Sequence, residues 1–261
     1  MEIVCLHDKA EIEAVLRRNT FLNIYTIGDL DGPYWNHTVW YALREQDQIR
    51  EVVLIYTGTS TPVLLSLSDE PAASMQELLT SIVPYLPRRF YAHLSGRLSK
   101  ILEEHYRVRS LGPHLKMGLV DRSRLSEVDV SEAVPISISQ LAEVQQFYSQ
   151  SYPGNWFEPQ MLENGHFYGI WRNGALASMA GIHVYSEQYK VAALANIATH
   201  PDFRGQGLAR AACAKLCGAM LGSLDHIGLN VGADNSGAIA LYQRLGFETI
   251  AQYAEYAVEP Q

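Results

Sequence analysis

Three cysteines, Cys5, Cys213 and Cys217, are all that 261 residues contain. An odd, scattered set gives no disulfide framework and fits a reducing compartment. Cys213 and Cys217 lie four apart in an Ala-rich stretch, with no His or third Cys at zinc-ligand spacing. They read as small packing residues in a helix, and no metal is expected. No stretch approaches the ~18 apolar residues of a membrane-spanning helix, so no membrane partner is expected. Met1-Glu2-Ile3 opens without a basic region, and Asp8, Lys9 and Glu11 interrupt any apolar core. No secretory signal is therefore read, and a cytoplasmic location is expected. No basic block or Arg/Lys stripe occurs, which argues against nucleic acid.

The composition is that of a folded chain: 48% hydrophobic and 18% charged. The length suits one large domain or two ordinary ones. The net charge of -8 is unevenly shared. Residues 1–125 carry 14 Lys/Arg and 15 Asp/Glu, against 6 and 13 in residues 126–261, so net charges are -1 and -7. The acidic C-terminal half disfavours a polyanion and favours a cationic substrate. A polar stretch over Leu119–Val134 marks the expected boundary between domains 1–125 and 126–261.

In the C-terminal half, patterning predicts a strand at Val134–Ile138 and a helix over Gln140–Gln150 capped by Ser139. A short helix at Pro159–Glu163 follows. Strands are expected at His166–Trp171, Ala175–Val184, Tyr189–Thr199 and His226–Val231. Helices are expected at Gly207–Leu221 and Asn235–Leu245, the latter closed by Gly246. Phe247–Ile250 and Gln252–Val258 read as two closing strands. The N-terminal half repeats this order coarsely. Helices are read at Lys9–Arg18, Ser74–Val83 and Leu98–Glu103. Strands are read at Thr38–Leu43, Glu51–Tyr56, Val63–Leu67, Arg89–Ala92 and Lys116–Leu119. The class is α/β with a mixed sheet. Pro62 and Ser68–Pro71 stand near where the second half has a glycine loop, so the halves read as a duplication in which only the second kept the loop, with an unrelated α/β domain as the alternative.

That loop is the most informative segment: Ile197-Ala198-Thr199-His200-Pro201-Asp202-Phe203-Arg204-Gly205-Gln206-Gly207-Leu208-Ala209. An apolar strand runs through a polar turn into a helix, with two glycines and a positive charge at the junction. The N–H groups at such a helix start attract anions, and glycines let a phosphate approach the backbone. No Gly-Lys-Ser/Thr follows, so a Walker loop is excluded. A dinucleotide fingerprint would need a third glycine where Arg210 stands. His200 reads as a turn contact.

Arg204-x-x-Gly207-x-Ala209 resembles the acyl-coenzyme-A pyrophosphate loop of the GNAT superfamily of N-acetyltransferases. Asn235-Ser236-Gly237-Ala238-Ile239-Ala240-Leu241-Tyr242-Gln243-Arg244-Leu245-Gly246-Phe247 is similar to that family's last helix and strand start. The resemblance covers about residues 133–258. The N-terminal half resembles the degenerate first domain of tandem members, and Ile197–Pro201 resembles the branch related to glycine N-acyltransferases.

The resemblance implies acetyl-CoA as co-substrate and transfer to the primary amine of a small molecule, amino acid or peptide by direct attack on the thioester. It implies that Phe203, Arg204, Gly205, Gln206, Gly207, Leu208 and Ala209 cradle the pyrophosphate. Ile197, Ala198 and Thr199 would meet the pantetheine and thioester through main-chain groups. Tyr242 is implied as general acid toward the leaving thiolate, and Asn235 as a contact to the pantetheine arm. The base is less evident. The family's central-strand Glu is replaced here by Ala193, Leu194, Ala195 and Asn196. Asn196 can orient an amine or a water, and His183 is a candidate base, since imidazole titrates near neutrality, with a water relay to bulk or an already neutral substrate amine as alternatives. Trp156, Phe157 and Tyr185 are candidates to line the acceptor pocket, with Glu158, Glu163 and Glu187 nearby. A non-catalytic acyl-CoA-binding or sensory module is the alternative, kept open by the missing carboxylate. Monomer and homodimer both remain open.

Overall fold

Asp8 starts the first helix by accepting hydrogen bonds from the N–H groups of Ala10 and Glu11. Two donors that a helix start leaves without intrahelical partners are satisfied in this way. This helix, α1, covers Lys9–Leu16 and turns Ile12 and Leu16 into the core. The computed structural model describes residues 1–68 and 73–261. Within them the strands are β1 (Glu2–Leu6), β2 (Thr38–Glu45), β3 (Gln48–Tyr56), β4 (Val63–Ser66), β5 (Phe90–Leu94) and β6 (Tyr106–Leu119). There follow β7 (Val134–Pro135), β8 (Tyr168–Arg172), β9 (Ala175–Ser186), β10 (Val191–Thr199), β11 (His226–Gly232) and β12 (Phe247–Pro260). The helices after α1 are α2 (Ile24–Gly28), α3 (Gly32–Trp35), α4 (Ala73–Ile82) and α5 (Ser99–Glu103). The remaining ones are α6 (Leu141–Ser151), α7 (Leu208–Met220) and α8 (Ser236–Arg244).

The chain packs as two compact units. The first comprises Met1–Met117, Val231–Asn235 and Thr249–Gln261. Its strands follow the order β1-β2-β3-β4-β5-β12-β6. Neighbours from β1 to β4 run antiparallel, β4 and β5 run parallel, and β12 is antiparallel to β5. Met75, Leu78, Leu79 and Ile82 recur at helical spacing on α4 and pack on Leu43, Val53, Ile55 and Leu64 of the sheet. Each such side chain contributes roughly 1.5–3 kcal/mol when fully buried. Among the described residues of this unit, Lys116 is a buried charged group. Lys116 lies against the rings of Tyr25 and Tyr253, and burial pushes its ammonium down to about 7 against the pull of Glu255.

The second unit comprises Gly118–Asn230 and Ser236–Glu248. Its order is β11-β10-β9-β8-β7, with β10 and β11 parallel and the other neighbours antiparallel. Helix α7 lies against β8, β9 and β10. Val144, Phe147 and Tyr148 of α6 pack with Leu162, Phe167, Leu176 and Met179. Gly181 makes that packing possible, because a Cβ there would stand 2.0 Å from Cε1 of Phe167. Gly181→Ala is therefore expected to destabilise the protein by about 1–3 kcal/mol through overpacking. The readout is a lower urea midpoint at unchanged slope.

The expected mixed α/β class holds, and several element boundaries move. Val134–Ile138 pairs over Val134–Pro135 alone, because Ser137 leaves the strand to form a capping box with Gln140. Ser137, not Ser139, thus opens the turn that leads into α6. The two closing strands are one, β12, and β6 begins ten residues earlier than Lys116. The first part of β6 alternates half-buried Tyr106 and Val108 with exposed Arg107 and Arg109 over four residues, before the alternation lapses at Ser110 and Leu111. Strand β1 has no counterpart in the sequence reading. The comparison made for Ser68–Pro71 falls largely on residues 69–71, which lie outside the described residues.

Candidate active site

The strand β10 ends at Thr199 and the chain turns through Pro201–Phe203 before α7 begins. His200 caps that turn, its Nδ1 accepting from the Asp202 N–H at 3.3 Å. Arg204 folds back so that its Nε donates to the Thr199 carbonyl at 3.3 Å. Its charge is thereby held at the strand-to-helix junction. Gly205 and Gly207 take φ of +78° and +79°, a backbone that side-chain-bearing residues rarely adopt. A Cβ on either would meet nothing within 4 Å, so the space beyond the loop is open. Gly207 is the N-cap of α7, and the first turn of that helix carries no acidic residue. Its leading N–H groups have no intrahelical acceptor and form the positive end of the helix. Phosphate oxygens fit this cradle of donors, open space and a nearby guanidinium.

Upstream of the loop, β10 departs from regular pairing. Ala195 faces Gly181 and Ala198 faces Met179 on β9, so Asn196 and Ile197 together oppose Ala180. This is a β-bulge, which re-aims backbone groups out of the ladder. Asn196 takes φ of +56°, a region in which Asn is enriched. Three groups hold it. The Tyr148 hydroxyl donates to its carbonyl at 2.7 Å, Asn155 Nδ2 donates to its Oδ1 at 3.0 Å, and its Nδ2 lies 3.5 Å from Met161 Sδ. Burial raises the Tyr148 phenol well above its ordinary range, so it stays a donor. Beyond the bulge, Ser178 Oγ donates to the Ala198 carbonyl at 3.0 Å and lies 2.9 Å from Thr199 Oγ1.

A second irregularity sits one turn of the pleat away. Val184 faces Ala193 and Ile182 faces Leu194, which leaves His183 as the extra residue of β9. The Trp156 ring packs edge-on to it at 4.9 Å between centroids. Burial pushes the His183 imidazole down to about 4, so it is neutral at pH 7. Tyr185 lies two residues on, its ring 4.0 Å from that of His166 and its hydroxyl 3.3 Å from Glu187 Oε1. Phe157 points elsewhere, toward Tyr148 and Phe167 in the core. Tyr242 on α8 is 7% exposed, and its ring lies 5.9 Å from Phe247. Residues Ile197–Ala209, His183, Asn196 and Tyr242 all belong to the second unit, whereas Asn235 falls in the Val231–Asn235 segment of the first. There its N–H donates to the Gly232 carbonyl at 3.0 Å. Among the described residues, no group of three or more His, Cys, Asp or Glu is placed to hold a metal.

Residues 136–247 match the model of the acetyltransferase (GNAT) family. The fold is that of the GNAT acetyltransferases. A GNAT-family acetyltransferase from Colwellia psychrerythraea is 13% identical, with 99% of this chain and 100% of that one covered and a TM-score of 0.58. A Drosophila protein is also 13% identical over 98% of both chains, with a TM-score of 0.68. A tandem GNAT protein of the clavulanic acid biosynthesis pathway is 12% identical over 98% of both chains, at 0.53. No curated protein matches the chain. The GNAT match contains every candidate site residue named from the sequence. It also contains Tyr148, Asn155, Met161 and Ser178, to which sequence reasoning gave no role at the strand. Tyr148 was legible as a buried face of α6, but nothing in its spacing announced a hydrogen bond to a strand carbonyl.

Proposed function

We propose that this protein is an acetyl-CoA-dependent N-acetyltransferase acting on the primary amine of a small molecule, amino acid or peptide. The observation that carries the reading is the glycine cradle at the start of α7, which follows directly from a bulged strand. Acetyl-CoA is the co-substrate, and the chemistry uses no metal. Backbone groups of Phe203, Gly205, Gln206, Gly207, Leu208 and Ala209 hold the pyrophosphate, with Arg204 adding charge. The pantetheine lies along Ile197, Ala198 and Thr199. A bulge N–H then donates to the thioester oxygen, where negative charge develops.

The amine nitrogen forms a bond to the thioester carbon as the carbon–sulfur bond breaks. The departing thiolate takes its proton from the Tyr242 phenol, whose reference pKa of about 10 lies above the ~8.5 of a thiol, so the transfer relies on positioning. Asn196 orients the amine or a water beside it. His183 takes the amine's proton. Its burial keeps it in the neutral state that a base requires, at the cost of basicity, so the proton leaves onward to water. The cytoplasm, as a reducing compartment, suits three unpaired thiols.

The order β-α-β-β-β-α-β recurs in both units, each with its fourth and fifth strands parallel. That recurrence supports a tandem arrangement, with domains at 1–125 and 126–261 and a first domain that lacks the glycine cradle. The test of the function is thiol release from acetyl-CoA across a panel of amines. Saturable release that requires an amine upholds it. Tight acetyl-CoA binding with no turnover on any acceptor would instead make the chain a binding or sensory module, a reading that the missing carboxylate on β10 favours. His183→Gln is expected to lower kcat/KM. It is also expected to flatten the loss of stability on acidification. The folded imidazole sits below the unfolded value of ~6.5, so stability falls as pH drops through 6.5 toward 4. Urea midpoints across that window check the second effect.

A further inference from the structure

The wall beside the bulge has a composition that amine acetylation alone does not require. Asn155 is hydrogen-bonded to Asn196, and the next residue, Trp156, packs on His183 of β9. Its indole is 50% exposed, although it packs against His183 on one side. Along β9 the wall continues through Tyr185, its ring tilted against that of His166 and its hydroxyl bonded to Glu187. These residues offer ring faces and one carboxylate. The charged group bonded into the wall is Glu187, whereas Glu158 follows Trp156 by two residues and Lys190 lies exposed three residues past Glu187. Both imidazoles are held toward their neutral form by burial, so they supply no counter-charge either. A carboxylate-bearing acceptor would lose its water beside Glu187 without gaining a cationic partner. A ring-bearing amine would instead stack on the open indole, and its ammonium form would be drawn in by ring faces and by Glu187.

Resting on the acetyltransferase reading, we infer that the acceptor is a primary amine with an aromatic body and no acidic group, its ring on Trp156 and its amine at the Asn196 bulge. Specificity then resides in a loop position on a fixed scaffold, as is common for binding loops. The experiment compares phenethylamine, butylamine and glycine as acceptors at saturating acetyl-CoA, using the full chain. Phenethylamine is expected to exceed both others at least tenfold in kcat/KM. Trp156→Ala is expected to bring the phenethylamine-to-butylamine ratio toward one, and Trp156→Phe to restore part of it. KM for acetyl-CoA should not move in either variant. Preference for glycine, or a Trp156→Ala loss that is equal for all acceptors, overturns the inference. If no acceptor gives turnover, calorimetry of phenethylamine against protein saturated with coenzyme A decides. Binding that Trp156→Ala abolishes keeps the site assignment while the transferase reading falls, and absence of binding removes both.

Discussion

Replacing Tyr242 with phenylalanine is expected to lower kcat for amine acetylation by about a hundredfold or more, the usual range for a positioned proton donor. KM for acetyl-CoA should stay where it is. The ring remains, and so does its packing against Phe247 at 5.9 Å. Stability should therefore change by no more than the ~0.5–1.5 kcal/mol of a hydrogen bond. This split separates the phenol's chemistry from its place in the core. A structural role would lower the melting temperature and raise KM together. A chemical one lowers kcat alone, because the interaction is made as the carbon–sulfur bond breaks. Steady-state rates and a melting curve on the same preparation distinguish the two.

The second large effect is expected at Gly207. Gly207→Val should weaken acetyl-CoA binding by about a hundredfold or more with the remainder of the fold intact. A β-branched residue at φ of +79° carries strain of about 1–3 kcal/mol. The loop relieves that strain by rotating, which re-aims the N–H groups that open α7. The new methyl groups also project into the space above the loop, which is open in the folded chain. Gly207→Asn is the informative companion, since Asn tolerates the left-handed region. It should bind acetyl-CoA better than the valine variant and worse than the wild type. Equal binding by all three proteins would remove the loop from the coenzyme site.

The glycine loop was legible because its chemistry is in its residue types. Two glycines, an arginine and an Ala-rich start leave few other ways to build a strand-to-helix turn. Helix α4 was legible because its buried residues follow a helical period, and strands β2 to β5 because they are short apolar runs bounded by turn and polar residues. The bulges were not. An extra residue in a strand leaves hydrophobic alternation almost unchanged, so Asn196 read as a missing carboxylate rather than as a left-handed residue held by three partners. His183 read as a candidate base from its imidazole alone, while its place as the inserted residue of β9 depends on the register with β10. Strands β1 and the first part of β6 escaped because their exposed positions carry charge. The capping role moved from Ser139 to Ser137 because only the folded turn brings Gln140 back to the Ser137 N–H.

The position of β12 has a consequence for how the molecule is made. It is a middle strand of the first unit, seated between β5 and β6, yet it ends at Pro260. Chains emerge from the ribosome N-terminus first at roughly 5–20 residues per second. The strands β7 to β11 of the second unit have all been synthesised by Gly232. The unit begun before the second thus waits for a strand made after it, and its sheet closes only once β7 to β11 have been made. Sequence-distant pairing of this kind slows folding, and a stop codon before Phe247 would remove a strand from the half of the protein that was made first.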